Sequence, residues 1–270
     1  MYKIKDLMAL FEKYAPLEIS YKAIEKGDYD NSGLLIKNSE NASKILFSLD
    51  LSNLVVDKAI ELNADTIVTH HPAIYNPIKK LSVDGENSAV LRAIRAGLNV
   101  VSMHLNLDMA KLGIDEYLSR CFFGDERRII NYLDDEHGYG REVTIEPVEH
   151  SDTVWIADAE EMLEEAKKDF RTDKILLYGK GSVKSVASFC GSGGDVAVKS
   201  LMSGKTSGQL IVTSDLPHHQ LLPLIEAGRK VMIIPHYPAE LYGFNKFYQW
   251  AKQELDGIAQ LEFFEDKRFM

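Results

Sequence analysis

Five apolar, strand-like runs in this chain each stop at a side chain that can bind a metal or move a proton. Lys44–Leu49 stops at Asp50, and Asp65–Thr69 stops at His70-His71. Asn99–Met103 stops at His104, with Asp108 four residues on; Gln209–Ser214 stops at Asp215; Lys230–Pro235 stops at His236, with Glu240 four residues on. In a parallel α/β sheet the carboxyl ends of the strands line one edge, where ligands bind, so residues remote in sequence converge there. The pattern reads as a metal site.

A chain of 270 residues can bury a full core, as one large domain or two lobes. No apolar run approaches the roughly 18 to 20 residues needed to span a bilayer, and Met1–Tyr14 lacks the uninterrupted apolar stretch of a secretory signal. Two cysteines, Cys121 and Cys190, match no CxxC spacing and are too few for a disulfide framework, which fits a reducing compartment. A cytoplasmic protein is expected, with no membrane partner. The formal charge of −10 opposes nonspecific attraction to a nucleic-acid backbone, so nucleic acid is not the expected partner.

Along the chain, helical spacing over Tyr2–Tyr14 is followed by a loop containing Gly27, Asp30 and Gly33, and by the short apolar run Leu34–Ile36. Ser52 is placed to cap a helix running to Asn63, and Gly97 to end a helix over Ser88–Ala96. From Cys121 to Lys180 charge rises, and Glu160–Lys168 predicts an amphipathic helix with a solvated acidic face. Alternation then resumes, with strands over Val183–Cys190, Gln209–Ser214 and Lys230–Pro235, helices over Val196–Met202, Leu221–Glu226 and Phe244–Leu255, and a last strand over Ala259–Phe264. The expected fold class is α/β, with two similar α/β lobes, residues 1–125 and 126–270, facing a shared metal-binding cleft.

The two stretches of alternation resemble each other. Ile94-Arg-Ala-Gly97 leads to His104 and Asp108, and Ile225-Glu-Ala-Gly228 leads to His236 and Glu240. Thr66-Ile-Val-Thr69 precedes His70-His71, and Leu210-Ile-Val-Thr213 precedes His218-His219. This pairing predicts pseudo-equivalent lobes.

Imidazole and carboxylate ligands suit borderline divalent ions such as zinc, manganese, iron, cobalt or nickel, and the lack of clustered thiolates argues against a zinc-finger site. Neighbouring side chains on an extended strand point to opposite faces, so His70 and His71 converge only if the chain bends after Thr69, where Pro72 favours a bend. His236 and Glu240 share a face if the chain turns helically past its strand. A histidine at a strand end is more often a hydrogen-bonded structural residue, and Asp50 reads equally as a turn or helix-start residue. The roles of Asp50, Asp215 and His218 are open at this level. Gly191-Ser-Gly-Gly194, between a strand and a helix, suits either an anion or a close-packed turn.

Seven motifs, in order, make the chain similar to the Nif-three-like proteins, described as dinuclear-metal-centre proteins and often labelled GTP cyclohydrolase type 2 homologues. They are Asp30-Asn-Ser-Gly-Leu-Leu35, Thr69-His-His-Pro72 with Lys79-Lys-Leu81, His104-Leu-Asn-Leu-Asp108, Gly138-Tyr-Gly-Arg141, Gly191-Ser-Gly-Gly194, Ser214-Asp-Leu-Pro-His-His219 and His236-Tyr-Pro-Ala-Glu240. The resemblance implies two divalent ions per chain held by His70, His71, Asp108, His236 and Glu240, with Asp108 bridging them. It places His104, Asp215 and His219 as polar residues of the same cleft, and implies a homohexamer. Ser214 and Pro235 stand where the family often has glycine, which bears on local backbone geometry.

Two divalent ions outweigh the charge of Asp108, Glu240 and a bridging hydroxide, leaving a cationic centre suited to a small anionic or carbonyl substrate. The first functional reading is a metal-dependent hydrolase of a phosphate-bearing or cyclic amide molecule, with His104 or His219 moving protons. The alternative is a noncatalytic ring that stores or delivers metal, or binds a protein partner. Nothing in the residues specifies a guanine pocket.

Overall fold

The structure, a computed structural model, describes residues 2–122, 124, 126–150 and 153–270, with backbone alone for 148–150 and 153–155. The fold is mixed α/β, and packing divides it into two units. The first comprises the chain up to Ala110 together with Phe244–Lys267; the second comprises Lys111–Gly243 with Arg268–Met270. The sequence puts the boundary between residues 125 and 126 and leaves the last strand in the C-terminal lobe. Packing instead returns the C-terminal strand and the helix half before it to the first unit, because that strand pairs there.

In the first unit, helices α1 (Ile4–Tyr14) and α2 (Leu17–Glu25) precede β1 (Gly33–Ile36). There follow β2 (Lys44–Ser48), α3 (Asn53–Glu61), β3 (Thr66–Thr69), α4 (Ser88–Arg95), β4 (Asn99–Ser102) and the short α5 (Leu105–Met109). Ser52 caps α3, its side chain accepting from the Val55 amide at 3.3 Å. Strands β2, β3 and β4 run parallel, β1 joins β4 antiparallel, and the C-terminal strand, Gln260–Phe264, extends β2 in parallel. Leu46, Ile67 and Val100 face α3 and α4, packing on Val55, Val56, Ala59 and Ala93. Phe47 faces the other way, into a cluster with Phe11, Phe244, Phe247 and Tyr248 whose ring centroids lie 5.3–6.2 Å from its own. Alternate residues of β2 therefore serve two cores. Sequence periodicity missed α2.

The second unit contains α6 (Ile114–Ser119), β5 (Arg127–Tyr132), β6 (Gly138–Thr144), the pair β7 (Val148–His150) and β8 (Thr153–Trp155), α7 (Ala159–Asp169) and β9 (Leu176–Tyr178). It continues with β10 (Ser185–Ser188), α8 (Gly194–Met202), β11 (Leu210–Thr213), α9 (His218–Glu226) and β12 (Lys230–Ile233). Helix α10 (His236–Glu254) starts in this unit and ends in the first, and β13 (Gln260–Phe264) is the strand beside β2. The sheet order is β5-β6-β10-β11-β12-β9, with β10, β11 and β12 parallel and β9 antiparallel to β12.

The repeat is visible in topology. An antiparallel strand followed by βαβαβ gives the order β1-β4-β3-β2 in one unit and β9-β12-β11-β10 in the other. The units differ at the far edge, where β2 meets parallel β13 and β10 meets antiparallel β6. No described helix is long and apolar enough to cross a membrane.

Phe47 is fully buried among four aromatic side chains. Phe47→Ala is expected to destabilise the protein by about 3–5 kcal/mol, read as a lowered midpoint in urea denaturation at unchanged slope.

Candidate metal centre

Strand β3 delivers His70 and His71. Their backbone amides both donate to the Leu49 carbonyl, at 3.1 and 3.0 Å, so the chain curls at the strand end as Pro72 suggests. The curl is held from the side by the Thr69 hydroxyl, which donates to the His71 carbonyl at 2.8 Å. Both imidazoles thereby face one region, with ring centroids 4.9 Å apart. His104 joins them, its ring 5.2 Å from His70 and 5.9 Å from His71. One nitrogen from each of the three can be chosen so that all lie within 4.8 Å of one another. Asp108 sits on α5, its amide donating to the His104 carbonyl at 2.8 Å, and its buried carboxylate lies 3.5 Å from His70 Nε2.

The hydrogen bonds of these rings fix which nitrogen faces a ligand. His70 Nδ1 donates to the Met103 carbonyl at 2.7 Å, His71 Nδ1 to Asp50 Oδ1 at 2.7 Å, and His104 Nδ1 to Asp30 Oδ1 at 2.8 Å. With the proton on Nδ1, each neutral ring presents the lone pair of Nε2. An imidazole ligand so oriented by a carbonyl or carboxylate is the usual companion of a bound metal.

The second unit carries the same device. His236 opens α10, with Pro238 tolerated in the first turn where no helical amide bond is lost. Its Nδ1 donates to Asp215 Oδ2 at 2.7 Å, while Ser192 Oγ donates to that same oxygen at 2.9 Å. Glu240, one helical turn on and buried, brings Oε2 to 2.9 Å from His236 Nε2. An imidazole lone pair and a carboxylate oxygen repel at this distance unless a positive charge lies with them, either a proton on Nε2 or a metal cation. Nitrogen and carboxylate donors with oriented tautomers fit a borderline divalent ion.

The turn beside this pair is tightly specified. Gly191 adopts φ +57°, and a Cβ there would come within 2.5 Å of Glu240 Oε1. Its neighbour Cys190 is pinned on both sides, its amide donating to Asp115 Oδ1 at 3.1 Å and its carbonyl accepting from the Tyr139 hydroxyl. Asp115 in turn pairs with buried Arg141 at 3.0 Å, and Arg141 also reaches Glu116 at 3.1 Å. Gly193 and Gly194 lie against Phe189, Tyr139 and Gln220, so close packing accounts for both.

Asp50 and Asp215 orient histidines, a role that the sequence leaves open. Asp30 belongs to a recognised motif but gave no sign of holding His104, since 74 residues separate them. His218 and His219 are exposed at the start of α9, and no hydrogen bond or ion pair among the described residues ties either to His236 or Glu240. By strand register His70-His71 corresponds to Ser214-Asp215, whose amides both donate to the Gly191 carbonyl at 3.2 and 3.4 Å. The expected correspondence with His218-His219 is therefore corrected: those residues lie four positions farther along, inside the next helix.

Comparison with known proteins decides the family. The model of the Duf34/NIF3 family (NGG1p interacting factor 3) matches residues 2–267. The chain belongs to that family. A Clostridium acetobutylicum relative named GTP cyclohydrolase 1 type 2 homolog is 29% identical over 245 residues, covering 88% of this chain and 85% of its own. A Methanocaldococcus jannaschii protein of the same name is 25% identical over 272 residues, covering 97% and 100%. A crystal structure of a Staphylococcus aureus hypothetical protein superposes with a TM-score of 0.80 at 21% identity, covering 98% of this chain and 96% of its own, which supports the NIF3 fold alone.

Burial of the His104 ring opposes its charged form, yet the hydrogen bond to Asp30 and the charges of Asp108 and Asp30 outweigh it and hold its pKa above the ordinary 6.5. Burial likewise opposes the Asp30 charge, and hydrogen bonds from His104 and Ser32 overcome it, holding that carboxyl below 3.8. The Asp30 contribution is present above pH 3.8 and lost as acid passes its folded value; the His104 contribution is complete below pH 6.5 and fades as pH rises through its folded value. In chelator-treated protein, Asp30→Asn should therefore lower the Tm more at pH 6 than at pH 9. Equal losses at both would show that the pair adds no charge-dependent stability.

Proposed function

We propose that this chain is a dinuclear divalent-metal hydrolase of a small phosphate-bearing or cyclic amide molecule. In this reading His70, His71 and Asp108 from the first unit and His236 and Glu240 from the second hold the ions, with Asp108 shared between them. The observation that carries it is the common orientation of the imidazoles, each with Nδ1 committed to a protein acceptor, together with the buried carboxylates of Asp108 and Glu240 that lie 3.5 and 2.9 Å from Nε2 of His70 and His236.

When bound, such ions supply Lewis acidity, polarising a carbonyl or phosphoryl oxygen and bringing the pKa of water toward about 7. Around them the chain's own groups orient and exclude. Asp50 and Asp215 fix the rings of His71 and His236. His104, backed by Asp30, is placed to take or return a proton at Nε2. The assembly in this reading is the hexamer implied by the family resemblance, measurable by light scattering. Its compartment is the cytoplasm, consistent with Cys121 and Cys190 both being free thiols.

Asp108→Ala should release at least one of two ions by elemental analysis; a full complement of two in that variant overturns the shared carboxylate. A screen of phosphoesters and GTP with metal-loaded protein should give hydrolysis that His71→Ala lowers at least a hundredfold. Metal held tightly with no turnover would instead make the chain a metal-binding protein without this activity.

A further inference from the structure

The loop that follows the histidine pair encloses an open cavity of about 730 Å3 that the metal residues do not use. Its size suits a small organic ligand. Pro72, directly after His71, lines it together with Tyr75, Pro77, Ile78, Lys79 and Lys80. The base is anchored. Ala73, Ile74 and Ile78 pack on the core of the first unit, the Tyr29 hydroxyl donates to the Tyr75 carbonyl at 2.6 Å, and Asn31 Nδ2 donates to the Ile74 carbonyl at 2.5 Å.

The Tyr75 ring stands edge-on to His104 with centroids 6.2 Å apart, which joins the cavity to the histidine cluster. Lys79 and Lys80 also line it, and among the described residues neither ammonium is in an ion pair with a carboxylate. Glu86 also lines the cavity, so the local balance is two cations to one anion in a chain of net charge −10. Unpaired lysines over apolar walls suit a phosphate on a flat body, since ammonium groups bind phosphate as point charges and prolyl, isoleucyl and tyrosyl surfaces accept a ring.

We propose that this cavity is the substrate subsite for a phosphorylated, ring-bearing small molecule, its phosphate held by Lys79 and Lys80 and its ring along Pro77, Ile78 and Tyr75. Tyr75 puts such a molecule beside His104. The assignment rests on the hydrolase reading for the ligand's role as substrate, but the binding it describes is measurable without turnover.

The test uses the metal-loaded full chain, with phenyl phosphate as probe and phenol as the control lacking the anion, by titration calorimetry. Wild-type protein should bind phenyl phosphate at least tenfold more tightly than phenol. Lys79→Ala/Lys80→Ala should lose at least tenfold in phenyl phosphate affinity, with phenol affinity and metal content unchanged, and Lys79→Arg/Lys80→Arg should restore most of it. A loss below threefold in the alanine variant, or a wild type that binds the two probes alike, overturns the subsite. Elemental analysis of the same wild-type sample keeps the two readings apart: absence of divalent metal sinks the dinuclear centre, while the probe comparison still decides the role of the lysines.

Discussion

A hydrogen bond from Nδ1 to a protein acceptor governs His70, His71 and His104 in the first unit and His236 in the second. Rotating about χ2, an unrestrained imidazole offers either nitrogen in either tautomer, and a set of such rings has no defined ligand geometry. Here Met103, Asp50, Asp30 and Asp215 each remove that freedom from one ring. The consequence is electrostatic as well as geometric. Once Nδ1 carries the proton, Nε2 is an acceptor, and buried carboxylates such as Asp108 and Glu240 beside it add further negative charge. Such a cluster is stabilised by a cation and strained without one.

The sheets supply these acceptors through strand order. His71 follows β3, and Asp50 follows β2, its parallel neighbour; His236 follows β12, and Asp215 follows β11, its parallel neighbour. His70 after β3 donates to Met103 after β4, and His104 after β4 donates to Asp30, just before antiparallel β1. Parallel pairing aligns carboxyl ends about 4.8 Å apart, which is the spacing a histidine needs to reach an acceptor on the next strand. Orientation of the imidazoles is thus a property of adjacent strand ends rather than of any loop.

The strand ends that carry the candidate metal residues were legible as strand ends because each is a short apolar run with a polar stop, and the i to i+4 spacing of His236 and Glu240 survives as the first turn of α10. Contacts across tens of residues were not legible, as with Asp30 and His104. Strand β6 was hidden for a different reason. Its buried positions include Arg141 and Glu142, charges compensated by Asp115 and Glu116 on α6 and by Arg128 and Ser207, so the apolar alternation that marks a strand is broken. The place of β13 was hidden too, because its composition announces a strand but not the neighbour, β2, that it selects.

Comparing the two units shows how one backbone turn serves two chemical ends. After β3 the Leu49 carbonyl gathers the amides of His70 and His71; after β11 the Gly191 carbonyl gathers those of Ser214 and Asp215. The first turn projects imidazoles, whereas the second projects a carboxylate that orients an imidazole on the next strand. The residue that supplies the accepting carbonyl differs accordingly. Leu49 keeps its side chain, fully buried, whereas position 191 lies against the Glu240 carboxylate and has room for no Cβ. Glycine at 191 is therefore required by the carboxylate packed on it as well as by its positive φ, and that requirement ties the glycine-rich turn to the candidate metal residues without any need for an anion at the helix that follows.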